Sequence, residues 1–144
     1  MIKALSTVKG YYDYGIFQAV QIAAIIAMRE GDKHIEEQAL IYEKRRDVLV
    51  QGLQKLGWEV ESPRATMFVW AKVSPEHLAP FGGSASEFCM AMVDEAEVAM
   101  TTRDALGDLG EGCVRLALVE NEQRIKQAIR QLQRVLAKPA ATVG

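Results

Sequence analysis

The stretch Gly110-Glu111-Gly112-Cys113-Val114-Arg115-Leu116-Ala117-Leu118-Val119-Glu120-Asn121 constrains the fold of this chain more than any other. Two glycines bracketing an acid mark a turn, and the apolar run that follows, with its β-branched residues, is a short strand. Val114, Leu116 and Leu118 share one face of that strand, and Cys113, Arg115, Ala117 and Val119 share the other. Arg115 is thus the one charge inside a strand otherwise apolar on both faces. A guanidinium there is costly unless a carboxylate or phosphate meets its planar fork of donors. Two alternatives follow: a structural arginine paired within the protein, or a receptor for an anionic substrate.

With 144 residues the sequence predicts a single domain over 1–144, large enough to bury a real core. A hydrophobic share of 49% beside 25% charged residues is ordinary for a soluble globular chain. The net charge of -2, with the signs interspersed, offers no electrostatic case for nucleic acid or an anionic membrane, and neither is expected as a partner. The apolar run from Ile16 to Met28 is broken by Gln18 and Gln21 and is too short for a membrane span. There is no basic-then-apolar leader and no CxxC spacing, so a cytoplasmic protein is expected, with Cys89 and Cys113 as reduced core residues. His34 and His77 lie far apart without neighbouring ligands, so no metal site is expected.

Along the chain, residues 1–10 read as a weakly patterned entry segment and Tyr11-Tyr12-Asp13-Tyr14-Gly15 as an aromatic turn. That turn either packs on its own helix, or Tyr12, Asp13 and Tyr14 form a loop facing a substrate or a second subunit. A first helix runs from Ile16 to about Arg29, apolar around so much of its girth that it is buried on several sides or awaits a partner. Gly31 and Asp32 cap the junction to a second helix ending near Gly57, whose seam includes Tyr42, Leu49, Leu53 and Leu56. Arg45 and Arg46, beside Glu43 and Asp47, read as a solvated face or an interdomain salt bridge.

Two short strands follow, Trp58 to Glu61 and Met67 to Val73, broken at Ser62-Pro63. In the second, Met67, Val69 and Ala71 alternate with Phe68, Trp70 and Lys72; Trp70 is a core or interface residue or a stacking platform for a ligand. Ser84 and Glu87 make a capping box for a helix through Ala96, Val98 to Thr101 is a third strand, and Asn121 caps a final helix. Residues 137–144 read as a disordered tail. The prediction is therefore an α+β fold: a small, mostly antiparallel sheet of about four short strands covered by helices and preceded by two N-terminal helices. No serine, cysteine or lysine sits in a nucleophile motif, and there is no GxGxxG or P-loop.

Five blocks occur in one order over residues 8–136: Gly10-Tyr11-Tyr12-Asp13-Tyr14-Gly15-Ile16-Phe17-Gln18, Tyr42-Glu43-Lys44-Arg45-Arg46-Asp47-Val48-Leu49, Gly57-Trp58, Ala65-Thr66-Met67-Phe68-Val69-Trp70-Ala71, and Gly112 through Asn121. Together they resemble the C-terminal small domain of a class I/II, fold-type-I, pyridoxal-phosphate aminotransferase of the alanine and LL-diaminopimelate branch. The resemblance implies amino-group transfer between an amino acid and a 2-oxo acid, with pyridoxal 5'-phosphate as cofactor of the complete enzyme. It assigns the substrate's α-carboxylate to Arg115, where a planar fork meets a planar carboxylate. The Schiff-base lysine and the acid that holds the pyridinium nitrogen protonated would lie upstream, in a large domain preceding this chain. None of Lys3, Lys9, Lys33, Lys44, Lys55, Lys72, Lys126 or Lys138 stands in the family's Schiff-base motif.

That implies a chain inactive alone, binding no cofactor itself, with a missing large domain as partner and a homodimer as a further expectation. Where relatives carry Ser-Pro-Gly and Gly-Phe-Gly, this sequence has Thr101-Thr102-Arg103 and Ala105-Leu106-Gly107, which narrows backbone freedom and adds a charge near the expected substrate side. Two other classes stay open on the residues alone: a free-standing module that binds an anionic metabolite through Arg115, and a dimerisation module built on the first helix and the tyrosine loop.

Overall fold

In the computed structural model, residues 1–102 and 112–137 are described. Four short strands form one antiparallel sheet: β1 (Glu59–Val60), β2 (Phe68–Lys72), β3 (Thr101–Thr102) and β4 (Cys113–Ala117), in the order β1-β2-β4-β3. The longest pairing, β2 with β4, sets Val69 opposite Leu116, Trp70 opposite Arg115 and Ala71 opposite Val114. Period-two alternation then gives the sheet a dry face of Val69, Ala71, Val114 and Leu116, all buried.

Helices cover that face. They are α3 (Asp32–Lys55), the single turn α4 (Pro75–Leu78), α5 (Ala85–Ala96) and α6 (Glu122–Leu136). Leu49, Val50 and Leu53 of α3, Phe88 and Met92 of α5, and Ile125, Leu132 and Val135 of α6 enter one core with the strands. Each of the larger side chains contributes about 1.5–3 kcal/mol by leaving water. The predicted caps form: Ser84 Oγ accepts from the Glu87 amide at 3.3 Å, and Asn121 Oδ1 from the Arg124 amide at 3.0 Å. Gly52, in the interior of α3, admits α6 at close range, because a Cβ there would lie 2.7 Å from Ile129 Cγ1. The α+β class and the small antiparallel sheet agree with the sequence prediction.

The chain divides into two compact units, Met1–Ala39 and Leu40–Gly144. The first holds α1 (Ile2–Asp13), α2 (Gln18–Glu30) and the start of α3. The expected entry segment 1–10 thus carries most of helix α1, and three helices precede the sheet. The Thr7 hydroxyl donates to the Lys3 carbonyl at 3.0 Å and Lys9 pairs with Asp13 at 2.7 Å, local contacts one turn apart that a hydrophobic pattern does not register. The helix stops where Tyr14 turns left-handed at φ 52° and Gly15 follows at φ 100°. Gly31 closes α2 by donating to Ala27 O at 2.9 Å, and its own carbonyl accepts from Ile35. Gly31, and not Asp32, therefore also occupies the capping position of α3. No residue of α1 or α2 is buried. Of the expected tail 137–144, all but Ala137 lies outside the described residues, as does most of the Thr102–Gly112 loop.

Candidate functional site

The second face of the sheet carries Phe68, Trp70 and Lys72 from β2 and Cys113, Arg115 and Ala117 from β4, with Thr101 of β3 opposite Arg115 on the far side. Arg115 is half-buried at the centre of this face. Its guanidinium carbon stands 4.5 Å from the centroid of the Phe68 ring and 5.9 Å from that of Trp70. Among the described residues no carboxylate pairs with it, whereas Lys72 reaches Glu59 at 4.0 Å. Trp70 is 40% exposed. The buried tryptophan is Trp58, whose indole N–H donates to His77 Nδ1 at 3.0 Å, with Ser74 Oγ 2.8 Å from the same nitrogen.

The backbone around Arg115 is pinned from several directions. Leu118 N donates to Met67 O at 2.8 Å and Val73 N to Gly112 O at 3.0 Å, closing the β2–β4 pair at both ends. Gly112 adopts φ 78°, and a Cβ there would meet Leu78 Cδ1 at 3.3 Å, so the turn into β4 is built for glycine. Thr66, just ahead of β2, is held at φ 83°, a conformation that costs a β-branched residue about 1–3 kcal/mol. From α3, Arg45 donates to the Leu118 carbonyl at 3.0 Å and stacks 5.5 Å from the Tyr42 ring. Arg46 donates to Pro63 O at 3.3 Å and to Asp47, which raises it above the ordinary arginine value. Neither arginine is a merely solvated charge; each ties α3 to a segment bordering the sheet. Sequence reading missed these tethers because their acceptors are backbone carbonyls.

The other predicted site residues lie in the N-terminal unit. Tyr12 and Asp13 belong to the last turn of α1 and Tyr14 terminates it, so the expected loop is largely helical; all three are exposed. The Asp13 carboxylate is held below the ordinary value of 3.8, first by its hydrogen bond from Lys9 and next by that from the Gly15 amide. Phe68 was not predicted as a site residue, although its alternation with Val69 in β2 already placed it on the face of Trp70. A groove of about 410 Å³ along α6, lined by Leu49, Val98, Leu116, Glu120, Arg124 and Ala128 among others, does not include Arg115.

The residues of this chain were also tested against pyridoxal 5'-phosphate. An imine-forming lysine needs an enclosed setting that lowers its basicity. Lys3, Lys9, Lys33, Lys44, Lys55, Lys72 and Lys126 are all exposed, Lys9, Lys33 and Lys72 in ion pairs, so the described lysines do not fit that role.

The model of the family described as "Aminotransferase class I and II" matches residues 3–132. The chain is 44% identical over 133 residues to the glutamate-pyruvate aminotransferase AlaC of Escherichia coli strain K12, covering 92% of this chain and 32% of that protein. It is 38% identical to the LL-diaminopimelate aminotransferase of Moorella thermoacetica, over 96% of this chain and 34% of the relative. Among solved structures, the N-succinyldiaminopimelate aminotransferase of Mycobacterium tuberculosis superposes with a TM-score of 0.76 at 27% identity, covering 94% of this chain and 35% of that one. The chain thus spans about a third of the length of these relatives. The extent of the family match and the identities lead to one conclusion: the chain belongs to the class I and II aminotransferase family.

Proposed function

We propose that this chain is the small domain of a pyridoxal-phosphate-dependent aminotransferase and that Arg115 receives the α-carboxylate of the amino acid or 2-oxo acid. The observation that carries the reading is the setting of Arg115: a guanidinium at the centre of the open sheet face, seated on an aromatic ring and unpaired with any described carboxylate. Among the described residues no acid takes up its N–H fork, and two charge-assisted hydrogen bonds from that fork would fix the substrate's orientation as well as its position. When bound, the cofactor supplies the electron sink for amino-group transfer. The lysine that carries it is assigned to residues outside this chain, because the lysines described here do not suit it. The chain alone is then inactive, and its contribution to the reaction is to bind and orient.

The test is a titration of the isotopically labelled chain with pyruvate, the smallest convenient 2-oxo acid, read at the Arg115 Nε–Hε resonance. A saturable shift in the wild type that disappears, together with backbone shifts on β2 and β4, in Arg115→Ala is expected. Equal binding by Arg115→Ala overturns the assignment.

A further inference from the structure

We infer that Phe68 is a positioning residue: its ring is the platform that fixes the plane and direction of the Arg115 guanidinium before any carboxylate arrives. The inference rests on the reading of Arg115 as the carboxylate receptor and extends it to a second side chain.

Register makes the contact specific. The residue directly across from Arg115 is Trp70, while Phe68 lies opposite Ala117. The guanidinium nevertheless sits closer to the Phe68 ring, 4.5 Å against 5.9 Å, so the side chain leans along β4 and reaches diagonally across the sheet. Ala117 leaves that diagonal open, since its single methyl occupies the position from which a larger side chain would cover Phe68. Phe68 itself is half-buried and its backbone is held on the N-terminal side by the Leu118–Met67 hydrogen bond, whereas Trp70 is exposed.

An aromatic footing also suits a receptor better than an acid would. A carboxylate partner would occupy the N–H fork and compete with the substrate. A ring face attracts the cation through its quadrupole and accepts none of the in-plane donors. Phe68 thus restricts the rotamers of a long side chain while leaving its hydrogen-bonding edge open, which lowers the ordering cost of binding.

The experiment compares wild type, Phe68→Leu, Phe68→Tyr, Ala117→Leu and Arg115→Ala by pyruvate titration, with the ligand-free Arg115 Nε–Hε resonance recorded in each variant that retains Arg115. Phe68→Leu is expected to weaken pyruvate roughly 3- to 10-fold and to remove the ring-current displacement of that resonance. Phe68→Tyr restores both. Ala117→Leu, a change at an exposed position that leaves Phe68 in place, crowds the platform and weakens binding likewise, so the inference stays testable if Phe68→Leu does not fold. Wild-type affinity in Ala117→Leu, or in folded Phe68→Leu, while Arg115→Ala has lost binding overturns the role of Phe68 and leaves that of Arg115 standing. No saturable binding by the wild type, or undiminished binding by Arg115→Ala, overturns both.

Discussion

At the scale of single residues, Arg115 was legible because it violates its surroundings: one permanent charge in a strand with two apolar faces needs an explanation that composition does not supply. Its footing was less legible. Diagonal contact with Phe68 depends on the β2–β4 register, and register is set by tertiary packing as well as by the alternating pattern. The two tryptophans show the same limit, since each lies in a short strand-like run and only the fold decides that Trp58 enters the core and Trp70 does not. Asp13 yields a prediction at this scale. Its carboxylate is held below 3.8 by Lys9 and the Gly15 amide. A depressed folded value means that the carboxylate's stabilisation of the α1 terminus is present above the unfolded value and lost as pH falls through the folded one. Carbon-detected titration of the Asp13 carboxyl should therefore give a midpoint below 3.8, and Lys9→Ala should move it up towards that value; a midpoint at or above it in the wild type contradicts the contact.

At the scale of elements, what the sequence stated in local chemistry came through. Ser84 and Asn121 cap the helices they were expected to cap, and β2 and β4 lie where alternation placed them. Strands β1 and β3 also form, within or at the edge of the expected runs Trp58–Glu61 and Val98–Thr101, but they are only two residues each, so the alternating pattern bounds them poorly. Helix α1 was not expected. Gly52 is the sharpest element-scale case. In a free helix, alanine there would gain about 1 kcal/mol in propensity, but α6 stands too close to accept a methyl group. Overpacking of this kind costs about 1–3 kcal/mol. Gly52→Ala should therefore lower the urea midpoint, and adding Ile129→Val should recover part of the loss. A Gly52→Ala chain more stable than wild type would show that the α3–α6 approach is looser than described.

At the scale of the molecule, a chain matching about a third of its relatives' length is proposed to supply the carboxylate receptor, Arg115, while its described lysines do not suit the cofactor. That division predicts the result of a labelling experiment. Incubation with pyridoxal 5'-phosphate, reduction with borohydride and mass mapping should give low, scattered modification of exposed lysines. Stoichiometric labelling of one lysine would mean that this chain holds the cofactor by itself. The central claim, that Arg115 is a receptor for a planar carboxylate and not a structural charge, is tested most directly by the pyruvate affinity of Arg115→Lys beside that of the wild type. Lysine keeps the charge and loses the fork, so a drop of roughly tenfold or more, worth about 1.4 kcal/mol, with the thermal midpoint unchanged, is the predicted result. Equal affinity in the two proteins, or an affinity loss that merely follows a loss of stability, would contradict it.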